Sequence, residues 1–130
     1  MSSRSPRPTP STAQRPLSHA IMDLHRALLH AEARKVGIAD EPYKMLAAAL
    51  GDERFAWLKP LSDLIVTLDE AGAQGTLPDN TALAPFVAKA RDLTAPGSLV
   101  YLRAGALAPE APGIREAQAT LADVLGMLGA

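Results

Sequence analysis

Three histidines on one predicted helix are the first candidates for chemistry in this chain. His19, His25 and His30 are separated by six and five residues. Two side chains on one helix share a metal ion when they are three or four residues apart, so these three cannot form a site by themselves. Di-iron bundles use Glu-x-x-His pairs on facing helices, and the sequence contains no such pair. We therefore predict no metal site.

His25 differs from the other two histidines because it lies at the edge of the apolar side of its helix. Glu32 lies two turns further along the same edge. A histidine at a core boundary is typically held by a hydrogen bond to a neighbouring helix. The alternative is that His25 titrates near neutral pH or binds a ligand, with Arg26 and Glu32 as further polar groups and Trp57, the only tryptophan, as a wall of the pocket.

No other residues form a set that is typical of catalysis. Ser62 and Ser98 lack both a glycine elbow and a partner base, and the glycines of GAQG lack the strand and the lysine of a phosphate-binding loop. The chain has no cysteine, which excludes thiol nucleophiles and thiolate metal sites. We predict a protein that is not an enzyme, without catalytic residues and without a cofactor.

The segment FAWLKPLSDLIVTLDE, residues 55–70, has a wide apolar face. On a helical wheel, Trp57 lies in line with Leu61, Leu64 and Leu68. A wide apolar arc is typical of a helix that packs against several neighbours. We therefore predict that this helix is the spine of the fold.

Pro60 interrupts that segment, because proline lacks an amide hydrogen and clashes with the preceding turn. The helix is expected to break or kink between residues 57 and 60. Val66 lies within the polar face. If the helix ran unbroken, Phe55 would lie beside Val66, and the pair would form a small contact patch for a partner or a second copy.

Apolar residues recur with helical spacing through most of the chain. The first stripe has spacings of 4, 3 and 4, and it consists of Leu17, Ile21, Leu24 and Leu28. Pro16 and Ser18 are expected to start this helix, and Gly37 is expected to end it.

Further helices follow the same pattern. Asp40 is expected to cap a shorter helix through Tyr43, Leu46 and Leu50. Later ones are expected from residue 80 or 81, over 99–107, and from 114 onwards. No run alternates with period two over a useful length. The sequence therefore predicts an all-α protein, an irregular antiparallel bundle of five or six helices formed by a single domain over residues 17–130.

Residues 1–16 differ in composition, with four prolines and almost nothing large to bury, so we predict a disordered tail. Arg4, Arg7 and Arg15 give this tail three positive charges and no acid. Such a tail is a weak candidate for binding nucleic acid, which the net charge of −1 does not favour. No apolar run is long enough to span a membrane and no secretory signal is present, so we expect a cytoplasmic protein.

LHRALLHAEARKVG, followed by FAWLKPLSDLIVTLDE, resembles a group of short, uncharacterised bacterial proteins. Their pattern is close to L-H-R-x-L-L-x-x-E and then F-A-W-L-x-P-L-S-x-L-I-V-x-x-D-E, and the likeness covers roughly residues 24–71. The resemblance implies a bacterial helical domain and transfers no catalytic residue. The matched positions include His25, Arg26, Glu32, Trp57 and Pro60.

Two functions remain open from the sequence. The first is a protein that binds a protein partner or itself. The alternative is a small-molecule pocket between helices near Trp57 and His25.

Overall fold

A computed structural model describes residues 13–77 and 79–128 of the chain, and these residues form an all-α bundle. The six α-helices are α1 (Gln14–Lys35), α2 (Pro42–Gly51), α3 (Lys59–Ala73), α4 (Ala84–Thr94), α5 (Leu99–Leu107) and α6 (Gly113–Leu128). Three short 3₁₀ helices cover Glu53–Leu58, Asn80–Leu83 and Ala108–Glu110. The predicted fold class is confirmed. Most of the predicted tail, residues 1–12, lies outside the described residues.

Helix α1 is the central element of the bundle. It packs against α3, α5, α6 and the 3₁₀ helix Glu53–Leu58. Its predicted apolar stripe is buried throughout, as are Ile114, Leu121 and Leu125 on the facing helix α6. The predicted spine, residues 55–70, falls within the 3₁₀ helix Glu53–Leu58 and α3, and these two elements together pack against α1, α2, α4 and α5.

Helix α1 begins at Gln14, three residues before the predicted domain boundary at residue 17. Pro16 is tolerated inside the first turn because the backbone N–H groups there have no acceptor within the helix. The backbone N–H of Ala13 donates to Oδ1 of Asn80 at 3.1 Å, which ties the start of α1 to the segment before α4. Gly37 has a φ of 78° and ends this helix region as predicted.

The predicted break before Pro60 is confirmed. Residues 53–58 form a 3₁₀ helix, started by the Asp52 side chain, which accepts a hydrogen bond from the backbone N–H of Arg54 at 2.8 Å. A 3₁₀ helix has about three residues per turn, so the helical wheel does not continue backwards through it. Phe55 consequently points into the core and is only 1% exposed. The predicted contact patch of Phe55 with Val66 is therefore wrong, and Val66 is exposed on α3 without it.

Prolines begin three of the helices, because the first turn of a helix does not need their missing N–H. Pro42, Pro60 and Pro85 occupy the first or second position of α2, α3 and α4. The residue before α2 is Glu41, which makes no side-chain capping bond, so the predicted cap at Asp40 is wrong. None of the helices among the described residues is long and apolar enough to cross a membrane.

Candidate functional site

Glu32, Trp57 and Arg103 form a partly buried polar cluster at the junction of α1, the 3₁₀ helix Glu53–Leu58 and α5. The indole Nε1 of Trp57 donates a hydrogen bond to Oε1 of Glu32 at 3.2 Å. The Nη1 atom of Arg103 lies 4.0 Å from the same carboxylate oxygen. The Arg103 guanidinium also lies 5.8 Å from the centre of the Trp57 ring, within the range of a cation–π interaction.

The contacts of this cluster stabilise the buried carboxylate of Glu32. Glu32 is 5% exposed and Trp57 is 6% exposed. A buried charge is costly unless it is hydrogen-bonded and paired, and here the indole provides the hydrogen bond while Arg103 provides the opposite charge. Arg103 remains half exposed, so water weakens its ion pair with Glu32. The shorter and fully buried bond from Trp57 is therefore the main restraint.

The hydrogen-bonding groups of the cluster are directed at one another. The indole N–H and the carboxylate oxygen that it binds hold together two elements that are 25 residues apart in the chain. Arg103 adds the third element from the solvent side. The arrangement is that of a clamp, which positions the 3₁₀ helix and, through it, the short helix α2 that packs on it.

His25 and Arg26 lie apart from this clamp. They line a groove of about 320 Å³ together with Met22, Leu29, His30 and Ile65. Burial lowers the pKa of His25 below its usual value, because desolvation disfavours the charged imidazolium. The structure therefore brings together two of the four predicted ligand-binding residues, Glu32 and Trp57, and places the other two in a separate groove.

The separation of His25 from Trp57 has a simple geometric cause. His25 and Glu32 do share an edge of α1, as the sequence indicates, but seven residues correspond to about 10 Å along the helix axis. At the level of His25 the edge meets Ile65 of α3, and at the level of Glu32 it meets Trp57. Within residues 13–77 and 79–128, no three His, Asp or Glu side chains are close enough to hold a metal ion.

Arg103 is the member of the clamp that the sequence does not reveal. It lies in α5, between Leu102 and Ala104, with no motif around it. The only signal for such a partner is indirect. Once Glu32 is placed on a buried edge, a cation or a hydrogen-bond donor must be found for its carboxylate.

The second feature is an exposed apolar surface on α2. Tyr43, Leu46 and Leu50 are 89%, 59% and 80% exposed, and their spacing of three and four residues places them on one side of the helix. We call these three residues the α2 stripe. The opposite side of α2 is buried through Met45 and Ala48.

Helix α2 contains almost no charged residues. Its single charged residue, Lys44, is bound to Glu41 by an ion pair with an N–O distance of 3.0 Å. Exposed apolar residues are common when they occur singly, but a row of three on one short helix is typical of a contact surface.

Comparisons with protein-family models, with curated proteins and with solved structures give no match to this chain. The resemblance to short bacterial helical proteins therefore stays a prediction. The clamp and the α2 stripe are the two features of the structure that support a function.

Proposed function

We propose that this protein acts in the cytoplasm as a non-enzymatic interaction module that self-associates through the α2 stripe. The observation that carries the proposal is the exposure of Tyr43, Leu46 and Leu50 on one side of a nearly uncharged helix. Burying each such side chain contributes about 1.5–3 kcal/mol, so the stripe favours association with another apolar surface.

A second copy of the chain is the partner that this stripe fits best. Leu46 lies near its middle, with Tyr43 three residues before it and Leu50 four residues after it. Two antiparallel copies of α2 related by a two-fold axis at Leu46 would place Tyr43 of each copy against Leu50 of the other. Such an isologous contact uses the same patch on both subunits, and the stripe contains no charge that would repel its own copy.

The expected strength of this dimer is low. Six side chains, three from each copy, contribute about 9–18 kcal/mol if they are fully buried. Association costs about 4–15 kcal/mol in lost translational and rotational freedom, and the side chains of a free monomer are already partly covered. These amounts are comparable, so we expect a reversible dimer that dissociates on dilution.

The clamp supports this proposal by fixing the position of α2. Helix α2 is held through the 3₁₀ helix Glu53–Leu58, and that segment is held to α1 by the bond between Trp57 and Glu32. A rigid support reduces the entropy that binding must overcome.

Analytical ultracentrifugation over a range of protein concentrations tests the proposal, with Leu46→Glu as the main variant. We expect the wild-type chain to shift from monomer to dimer as its concentration rises, and Leu46→Glu to remain a monomer because a charge at the centre of the contact would be buried unpaired. Glutamate is a good helix former, so α2 should persist, which circular dichroism checks.

The matched control is Val66→Glu on α3, which introduces the same charge at an exposed apolar residue outside the stripe. We expect this variant to dimerise like the wild-type chain. The proposal is wrong if the wild-type chain stays monomeric at the highest concentration, or if Val66→Glu and Leu46→Glu have equal effects.

A further inference from the structure

The outer side of α1 is a row of polar side chains that faces away from the core. Six exposed polar residues of α1 fall within an arc of about 100° on the helix, opposite the buried leucine stripe. They are Arg15, His19, Asp23, Arg26, His30 and Arg34. We call this row the α1 ridge. From Arg15 to Arg34 it extends about 28 Å along the helix axis.

The charged groups of the ridge have no partner among the described residues. Three ion pairs occur among the described residues, and they join Lys44 to Glu41, Lys59 to Asp63 and Arg103 to Glu32. None of the six ridge side chains forms an ion pair or a side-chain hydrogen bond with the part of the chain that the structure describes. The three guanidinium groups are therefore fully available to a partner.

The ridge also lies in the positive part of a chain whose charge is divided unevenly. Residues 1–35 carry six Arg and Lys residues against two acids, whereas residues 36–130 carry seven against twelve. One of the two acids in the first part is Glu32, which is buried in the clamp. The net charge of −1 therefore conceals a basic helix on an otherwise acidic protein.

The chemistry of the ridge is that of contact with phosphates. Arginine binds phosphate through two parallel N–H groups, and guanidinium groups spaced along one side of a helix suit a linear array of anions. The ridge contains no large apolar side chain that could enter a membrane, since the exposed large apolar residues lie on other helices. It also contains no phenylalanine, tyrosine or tryptophan on which unpaired bases could stack.

From these observations we propose that the α1 ridge binds the phosphate backbone of a nucleic-acid duplex without recognising its sequence. The surface is distinct from the α2 stripe, so this inference does not depend on self-association. The main binding element in this proposal is α1 and not the proline-rich tail. Arg4 and Arg7 of that tail precede the helix in the sequence. Three arginines give weak binding that decreases steeply with salt.

Fluorescence anisotropy with a labelled DNA duplex tests the inference on the full chain. A duplex of about 20 base pairs is roughly twice as long as the ridge, at about 3.4 Å per base pair. We expect the logarithm of the binding constant to fall against the logarithm of the salt concentration with a slope of about −3, because each arginine releases about 0.9 counterions.

The main variant replaces Arg15, Arg26 and Arg34 with glutamine, which keeps α1 helical. We expect binding to weaken by about tenfold or more and the salt slope to approach zero. The control replaces Arg54, Lys89 and Arg115, which are exposed elsewhere, so that both variants have the same net charge. The control should bind like the wild-type chain, and equal losses in the two variants would overturn the proposal.

Asp23→Asn provides a test whose expected result, tighter binding, would not be produced by misfolding. Asp23 is the one acid in the ridge, so its removal should tighten binding to the duplex. An unchanged or weaker affinity would contradict the inference. Tighter binding to single-stranded DNA, or to vesicles with anionic lipids, would assign the ridge to a different partner, and absence of binding at low salt would reject it.

Discussion

Helices α1 and α2 both carry large apolar residues at helical spacing, but the apolar side of α1 is buried and that of α2 is exposed. The stripe of α1 has spacings of 4, 3 and 4 residues and is buried, with every member at most 1% exposed. The stripe of α2 has spacings of 3 and 4 residues and is exposed over more than half of each side chain. Apolar periodicity therefore identifies a helix and one of its sides, but it does not identify what covers that side.

The difference comes from the neighbours that each helix has. The apolar side of helix α1 packs against α3, α5, α6 and the 3₁₀ helix Glu53–Leu58. Helix α2 packs on that same 3₁₀ helix through Met45 and Ala48, and this contact uses the side opposite its larger apolar residues. These two buried residues anchor the short helix, while Tyr43, Leu46 and Leu50 remain in water.

The largest expected effect comes from removing the same side chain from each stripe. Leu28→Ala should lower the free energy of unfolding by about 2–5 kcal/mol because it leaves a cavity in the core, whereas Leu46→Ala should change it by no more than about 0.5 kcal/mol. Urea denaturation followed by circular dichroism, at a protein concentration too low for dimers, measures both. Equal losses in the two variants would show that the α2 stripe is packed in solution.

A smaller effect is expected at the clamp, which ties the two regions together. Trp57→Phe keeps the ring in the core and removes the indole N–H, so the carboxylate of Glu32 loses its hydrogen bond. We expect a loss of about 1–3 kcal/mol in the free energy of unfolding. Because Trp57 is the only tryptophan, the helical signal in circular dichroism must replace fluorescence as the probe.

Glu32→Gln is the companion variant for the clamp. The amide oxygen can still accept from the indole N–H, so this variant should lose less stability than Trp57→Phe. A double-mutant cycle between Trp57→Phe and Glu32→Ala, each of which removes one partner of the hydrogen bond, gives the coupling directly. A coupling energy close to zero would show that the hydrogen bond at 3.2 Å does not restrain the 3₁₀ helix.

The smallest effect is expected at His25, which lies between the buried and exposed sides of α1, and it concerns the pH dependence of stability. Burial lowers the pKa of His25, so the unfolded chain takes up a proton at a higher pH than the folded one. The contribution of neutral His25 is therefore complete above the usual pKa of about 6.5 and is lost as the pH falls from that value through the lower folded pKa.

His25→Gln should remove this part of the decline in stability on the acid side, as measured by urea denaturation at several pH values. His19→Gln, which changes an exposed histidine of the same helix, is the control. If both variants alter the pH dependence to the same extent, the burial of His25 is not the cause.

Much of the fold could be predicted because it depends on local chemistry. Proline and glycine act through the backbone of their own neighbourhood, which is why the break before Pro60 and the end of α1 at Gly37 agree with the structure. The buried stripe of α1 was also predictable, because four large apolar residues in line on a long helix must be covered. For Glu32 and Trp57, the sequence predicted only that both belong to one ligand-binding site, and not that they bind each other.

The failures involve contacts between distant parts of the chain. Phe55 was named as a contact residue only for the case of an unbroken helix, and its segment is a 3₁₀ helix instead. Arg103 was not predicted because it meets Glu32 only after the chain has folded, and the two residues are 71 positions apart in the sequence.

The sequence alone determined that this chain is helical, where its helices begin and end to within a few residues, and which side of each helix is apolar. Those properties follow from backbone sterics and from periodicity, which act over a few residues. Tertiary structure alone decided that α1 is central, that the carboxylate of Glu32 is held by Trp57 and Arg103, and that the α2 stripe faces water. The physical reason is that burial depends on which elements meet, and that depends on the whole chain.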